Sequence, residues 1–178
     1  MLTLPVCRPF SNARWLSDAE WFVGHSPREW PQRLNFGRRD LVLAAVAAVE
    51  WLLPLWQSGE FSNDTAPVRA VDTARSHPVA PNENLRLHAR AVAKACTASR
   101  GRSLGYEHAI AEAARAVALA SAATSDADAA DSVAEALAKV EEHAVYAFSV
   151  EGIYGKECAV REEMLNRIAM IAASAAGG

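Results

Sequence analysis

The chain is poor in the residues and patterns from which most sites are built. Its 178 residues include three cysteines, Cys7, Cys96 and Cys158, far apart and outside any CxxC pattern. That spacing excludes a disulfide framework or a cysteine zinc site and implies free thiols in a reducing, cytoplasmic compartment. There is no HExxH pair and no acid-rich calcium loop, and none of the five histidines follows a glutamate by three residues, as a carboxylate-bridged metal bundle requires. No metal and no cofactor are expected. The GxSxG, Walker and GxGxxG patterns are also missing, which removes the commonest hydrolase and nucleotide sites and points away from an enzyme. No stretch alternates apolar and polar residues with β-branched enrichment, so strands are not expected.

Membrane segments are scarce as well. The opening stretch "MLTLPVCRPFSNARW" has neither a basic leader nor an apolar run of signal-peptide length. The longest apolar run, "LVLAAVAAVEWLLPLW" from Leu41 to Trp56, falls just short of the roughly 17 to 25 residues of a bilayer span and carries Glu50 in its interior. Its apolar positions surround the axis, which marks a helix covered by other helices. It reads as the central and most buried helix.

What the chain has is alanine, together with Glu, Arg and Val from Ala89 onward, a composition that favours helices packed closely through small side chains. The fold expected is all-α, a single compact multi-helix domain over residues 1–178, with a tryptophan-rich flap at 1–36 on a bundle at 38–175. Caps place the helices. Ser17 with Glu20 forms a capping box, and Ser26 before Pro27 and Glu29 opens a short second helix. Asp64 or Thr65, with Pro67 in the first turn, starts a helix running to Ser76, and Asn82 starts another from Glu83. The inward positions are Leu85, Ala89, Val92 and Cys96, then Tyr106, Ile110, Ala113, Val117 and Ala120. They continue with Val133, Leu137, Val140, Ala144 and Phe148, and with Val160, Met164, Ile168 and Ile171.

Four groups of polar residues stand out. Glu50, within an apolar helix, calls for an arginine, because an unpaired buried charge is costly; Arg69, Arg75, Arg90 and Arg115 are the candidates, and Arg69 and Arg75 are taken as its partners in a buried ion pair. Arg86, Arg90 and Lys94 recur every four residues, and Arg100 and Arg102 extend them into a basic stripe suited to nucleic acid or a small anionic ligand. With a net charge of −3, nucleic acid is not the expected partner. Asp128, Asp131, Glu135 and Glu142 share one helix face opposite Val133, Leu137 and Val140. That face could steer a basic protein partner. His108 and Glu112, at i and i+4, suggest a hydrogen bond on a helix surface, His88 a partly buried histidine, and His143 a solvated one.

One stretch carries a family resemblance. "AVEWLLPLWQSGEFSNDTAPVRAVDTARSHP", residues 48–78, resembles the Imm5-like immunity proteins of bacterial polymorphic toxin systems. In that family a helix ending in a leucine-proline step passes through an Asn-Asp loop into a proline-initiated, arginine-bearing helix. Asn63 and Asp64 match the loop, Pro67 the helix start, and Arg69, Ala70, Val71, Ala74 and Arg75 the helix. The late "HAVYAF" at His143 is also similar. The resemblance implies a non-catalytic protein that binds a cognate toxin domain and blocks it; it implies nothing about oligomeric state.

Overall fold

The computed structural model describes residues 15–102, 107–147 and 156–176, and within them every regular element is helical. The helices are α1 Trp15–Gly24, α2 Trp30–Leu34, α3 Arg38–Glu50, α4 Leu53–Ser58 and α5 Ala66–Ser76, followed by α6 Glu83–Arg102, α7 Glu107–Ala122, α8 Asp126–Ala147 and α9 Lys156–Ala176. A single 3₁₀ turn, Pro27–Glu29, joins α1 to α2.

The apolar run Leu41–Trp56 is central, but it is two helices and not one. An amide at position 54 would donate to the carbonyl of Glu50; Pro54 has no such N–H, and its ring crowds that carbonyl. The helix therefore stops at Glu50, tightens through a Leu52 N–H to Val49 carbonyl bond of 2.9 Å, and restarts with Pro54 in the first turn of α4. By length and composition residues 38–58 could cross a membrane, yet most of that stretch is packed inside the protein. Nor is it the most buried element. That position belongs to α7, of which Ala109 to Ala114, Ala116 to Ala118 and Ala120 to Ala122 are buried.

Two helices organise the rest. α7 packs along α6 on one flank and α8 on the other, with α5 laid across it, while α3 touches α5, α7, α8 and α9. Small side chains on α7 let these neighbours approach, and the large ones fill between them: Trp30, Trp56, Phe22, Leu52, Ile110 and Leu137 are among the fully buried. Most inward positions read from periodicity are buried as expected, including Cys96, Val117, Leu137 and Met164. Leu85 is only half-buried; Tyr106, Phe148 and the Ile171 side chain lie outside what the structure describes.

The buried indoles keep their N–H groups bonded, as buried tryptophans must. Trp30 donates to the Phe22 carbonyl at 3.0 Å, and Trp56 to the Asp64 carbonyl at 2.7 Å. The tryptophan-rich segment thus reaches into the core. Its α1 begins at Trp15, so Ser17 is inside the helix and not its cap. Ser26 does cap the 3₁₀ turn, and α2 closes on Asn35 in the left-handed region (φ 49°), which asparagine tolerates. Arg161 of α9 fastens this segment. It donates to the Val23 carbonyl at 2.9 Å and to Glu141 of α8 at 2.6 Å.

Candidate functional site

A concavity lies between α5 and α6. On α5, Pro67, Ala70, Val71 and Ala74 face the core, so Arg69, Asp72, Thr73 and Ser76 fall on the outward side. The cap is built locally: the Asp64 carboxylate accepts the Ala66 N–H at 3.0 Å. α6 begins at Asn82, whose side-chain oxygen accepts the Leu85 N–H at 3.0 Å. The connecting loop is tied down on α7, where Ser121 donates to the His77 carbonyl at 2.5 Å and accepts the Ala80 N–H at 3.1 Å through its own carbonyl.

Between these walls are two adjoining cavities. One, about 220 Å³, is lined by Ala66, Arg69, His88, Ala91, Val92 and Ala95. The other, about 430 Å³, is lined by Asp72, Thr73, Ser76, His77, Leu85 and His88. His88 belongs to both and is exposed, contrary to the partly buried position expected of it. Asp72, Thr73, Ser76 and His77 were not singled out by the sequence reading. The apolar stripe of α5 was signal enough to assign the opposite side as a surface, though not to show that α6 would wall it.

The Glu50 pair forms, but in a different place and with one arginine. Arg75 donates through Nε to Glu50 at 2.6 Å and through Nη2 to the same oxygen. Because Pro54 ends α3 at Glu50, the carboxylate lies at a helix terminus and not in a core. The Glu50 and Arg75 side chains are 34% and 50% exposed. Such a pair is worth about 0–1 kcal/mol. Arg75 also holds Asp72 at 2.9 Å. Arg69 is not part of the pair.

The acidic face of α8 is largely neutralised from within. Asp128 closes a reciprocal cap with Ser125, its N–H bonding the hydroxyl at 3.1 Å and its carboxylate accepting from that hydroxyl at 2.7 Å. Glu135 takes Arg115 of α7 at 2.6 Å, and Glu142 takes Lys139 at 2.6 Å. Asp131 is exposed and has no ion pair among the described residues. The basic stripe on α6 is compensated in the same way. Arg86 and Arg90 share one carboxylate, Glu83, at 2.8 and 3.6 Å, which leaves Lys94 exposed and without an ion pair among the described residues. The side chains of Arg100 and Arg102 lie outside the described set.

The α7–α8 seam holds chemistry that periodicity misplaced. Glu112 is buried, not on a surface, and meets Lys139 of α8 at 3.3 Å. His143 is buried as well, where a solvated position was expected. Glu112 lies on the side of α7 that Lys139 of α8 closes, which one helix read alone does not disclose. The hydrogen bond to Glu142 is foremost in raising the Lys139 pKa above 10.5; desolvation opposes it. On the other flank of α8, burial raises the Glu141 carboxyl above its ordinary range, and the hydrogen bond from Arg161 opposes that rise. Burial also pushes the Cys96 thiol up to about 12, helped by the charge of Asp64 and opposed by Arg115.

Among the described residues no three His, Cys, Asp or Glu side chains converge as metal ligands. The seam pairs cations with anions, and the α5–α6 groove offers space with a guanidinium and two imidazoles on its walls. The groove can bind. No family model matches this chain, and no curated protein or solved structure matches it either.

Proposed function

We propose that the chain is an immunity-like protein, non-catalytic, that binds and neutralises a cognate bacterial toxin domain in the cytoplasm of the producing cell. The reading rests on the resemblance of residues 48–78. One observation supports treating that stretch as a unit: Asp64, in the loop with Asn63, is tied to the helices on both sides by the motif's own residues. The Trp56 indole bonds the Asp64 carbonyl, and the Asp64 carboxylate caps α5. The resemblance therefore spans a helix–loop–helix whose second helix turns Arg69, Asp72, Thr73 and Ser76 away from the core.

Asp131 is an acid of the α8 face left exposed without an ion pair among the described residues. With Glu135 and Glu142, each already paired, beside it, it offers a basic toxin a point of complementary charge, which speeds encounter and sets partner choice. The test is to express the toxin domain encoded beside this gene with and without the chain. Protection of cells and recovery of a one-to-one complex are the expected results. A neighbouring gene without a toxin domain, or unprotected cells at equal expression, would remove the reading. Reversing Asp131, Glu135 and Glu142 to lysine should slow association and reduce its salt dependence. In the competing outcome the chain retains nucleic acid in a salt-sensitive complex that is lost on Arg86→Glu with Arg90→Glu.

A further inference from the structure

Arg69 is singled out by what its neighbours do. Asp72 stands three residues from Arg69 on one side and three from Arg75 on the other, within reach of either on a helix. Its carboxylate goes to Arg75 at 2.9 Å, and Arg75 is held a second time by Glu50 from α3. Asp64, the other acid near this end of α5, is turned back to cap the helix. Arg69 is left without an ion pair among the described residues, at the edge of the smaller cavity.

That cavity is chemically lopsided. Beside the guanidinium and the His88 imidazole, its walls are the methyl and isopropyl groups of Ala66, Ala91, Val92 and Ala95. His88 also lines the neighbouring space of about 430 Å³, within the ~300–1,000 Å³ range of small-ligand sites. A planar fork of N–H donors matches a carboxylate through two parallel bonds. Apolar walls offer a phosphate none of the further donors it needs, but they suit a hydrocarbon stem. We infer that the α5–α6 groove is a binding site for a carboxylate on a short apolar stem, with Arg69 taking the carboxylate, His88 flanking it, and Ala91, Val92 and Ala95 covering the stem. This site stands on the groove alone and is independent of the immunity reading.

The carboxylate can belong to a free small acid or to the C-terminus of a peptide, and two arms separate these. In the first, the full chain is titrated with hexanoate and, as a neutral control, hexanol, while backbone amide and Arg69 side-chain signals are followed by NMR. In the second, a short peptide ending in leucine with a free carboxylate is compared with its C-terminal amide. Signals of Arg69, His88, Ala91 and Ala95 should shift with at least one carboxylate probe and not with its neutral partner. Arg69→Gln should weaken that probe about tenfold or more at an unchanged melting temperature. Ala91→Leu should block it while leaving Arg69 in place. Hexanoate alone binding assigns a free small acid; the peptide alone, or much more tightly, assigns a chain terminus. Silence from both carboxylates at millimolar concentration overturns the site, as does equal binding of hexanoate and hexanol or an affinity unmoved by Arg69→Gln.

Discussion

α6 and α7 follow one another in the chain, lie side by side in the fold and are both rich in alanine, yet they live in different surroundings. Twelve of the sixteen residues of α7 are buried, whereas α6 buries one stripe, Ala89, Val92, Ala93, Cys96 and Ser99, and leaves its other described side chains half-buried or exposed. Alanine does not decide which helix is engulfed. Charge placement does. Two charges in the middle of α7 face α8, which answers Glu112 with Lys139 and Arg115 with Glu135. Those of α6 point in several directions, and only Glu83, on the same helix, answers them among the described residues. A helix can be surrounded when its charges converge on one partner; it must keep an open face when they diverge.

The largest expected effect sharpens the picture of the covered stripe of α6. With the Cys96 thiol pushed up to about 12 from an ordinary 9.0, labelling at pH 8 should run on the order of a thousandfold slower than for an ordinary thiol. The exposed Cys158 provides the internal reference. Peptide-resolved mass spectrometry after a thiol reagent reads both rates; comparable rates would mean that α6 is not seated as described.

Truncation should separate the two helices next. Ile110→Ala on α7 removes a fully buried side chain and should cost about 2–5 kcal/mol, while Leu87→Ala on α6, from a side chain 53% exposed, should stay within about 0.5 kcal/mol. Urea unfolding of both variants gives the comparison directly, and equal losses would break it.

Ion pairs should rank in the same order with smaller numbers. Lys139→Met removes the cation that faces the buried Glu112 and should cost about 1–2 kcal/mol, a buried-pair figure reduced because Lys139 keeps some solvent contact. Arg90→Met on α6 should cost about 0–1 kcal/mol. The pH dependence carries a sign. A lysine pKa raised in the folded state contributes stability that is whole below 10.5 and lost as pH climbs through the raised value. The wild-type chain should therefore weaken more than Lys139→Met between pH 10 and pH 12, read from urea midpoints.

The smallest effect lies on the far flank of α8. Burial raises Glu141, so its contribution is whole below pH 4.5 and diminishes as pH rises through the folded value, with Arg161 holding that loss down. Glu141→Gln should flatten the stability profile just above pH 4.5. An unchanged slope there would show that the Arg161 bond cancels the cost of burial.

Much of this fold could be read beforehand because helices announce themselves locally. Asn82, Asp64 and Pro67 start their helices as caps should, and the 3.6-residue period placed Cys96, Val117, Leu137 and Met164 inward. The misplacements share a cause. His88 and His143 each sit on the margin of an apolar stripe, and whether a margin is wet depends on how far the neighbouring helix overhangs, which is a property of two segments at once. Glu50 was misread because the effect of Pro54 falls four residues upstream, on the carbonyl it deprives of a donor. The Arg69 groove was half visible: the residues on its α5 wall follow from amphipathicity, but the pairing of Asp72 with Arg75 and not with Arg69 depends on Glu50 arriving from α3.

The bond from Arg161 to the carbonyl of Val23 joins positions 138 residues apart, and it sets an order of events on the ribosome. Residues 15–34 emerge early, but the guanidinium that fastens them is translated only after α3 to α8 have been made. At roughly 5–20 residues per second, that leaves α1 about 7–30 seconds without its clasp, with Trp21 and Phe22 held by whatever partial core exists. A nascent chain stalled within α8 should therefore carry a protease-sensitive amino-terminal segment that becomes resistant once α9 has been synthesised.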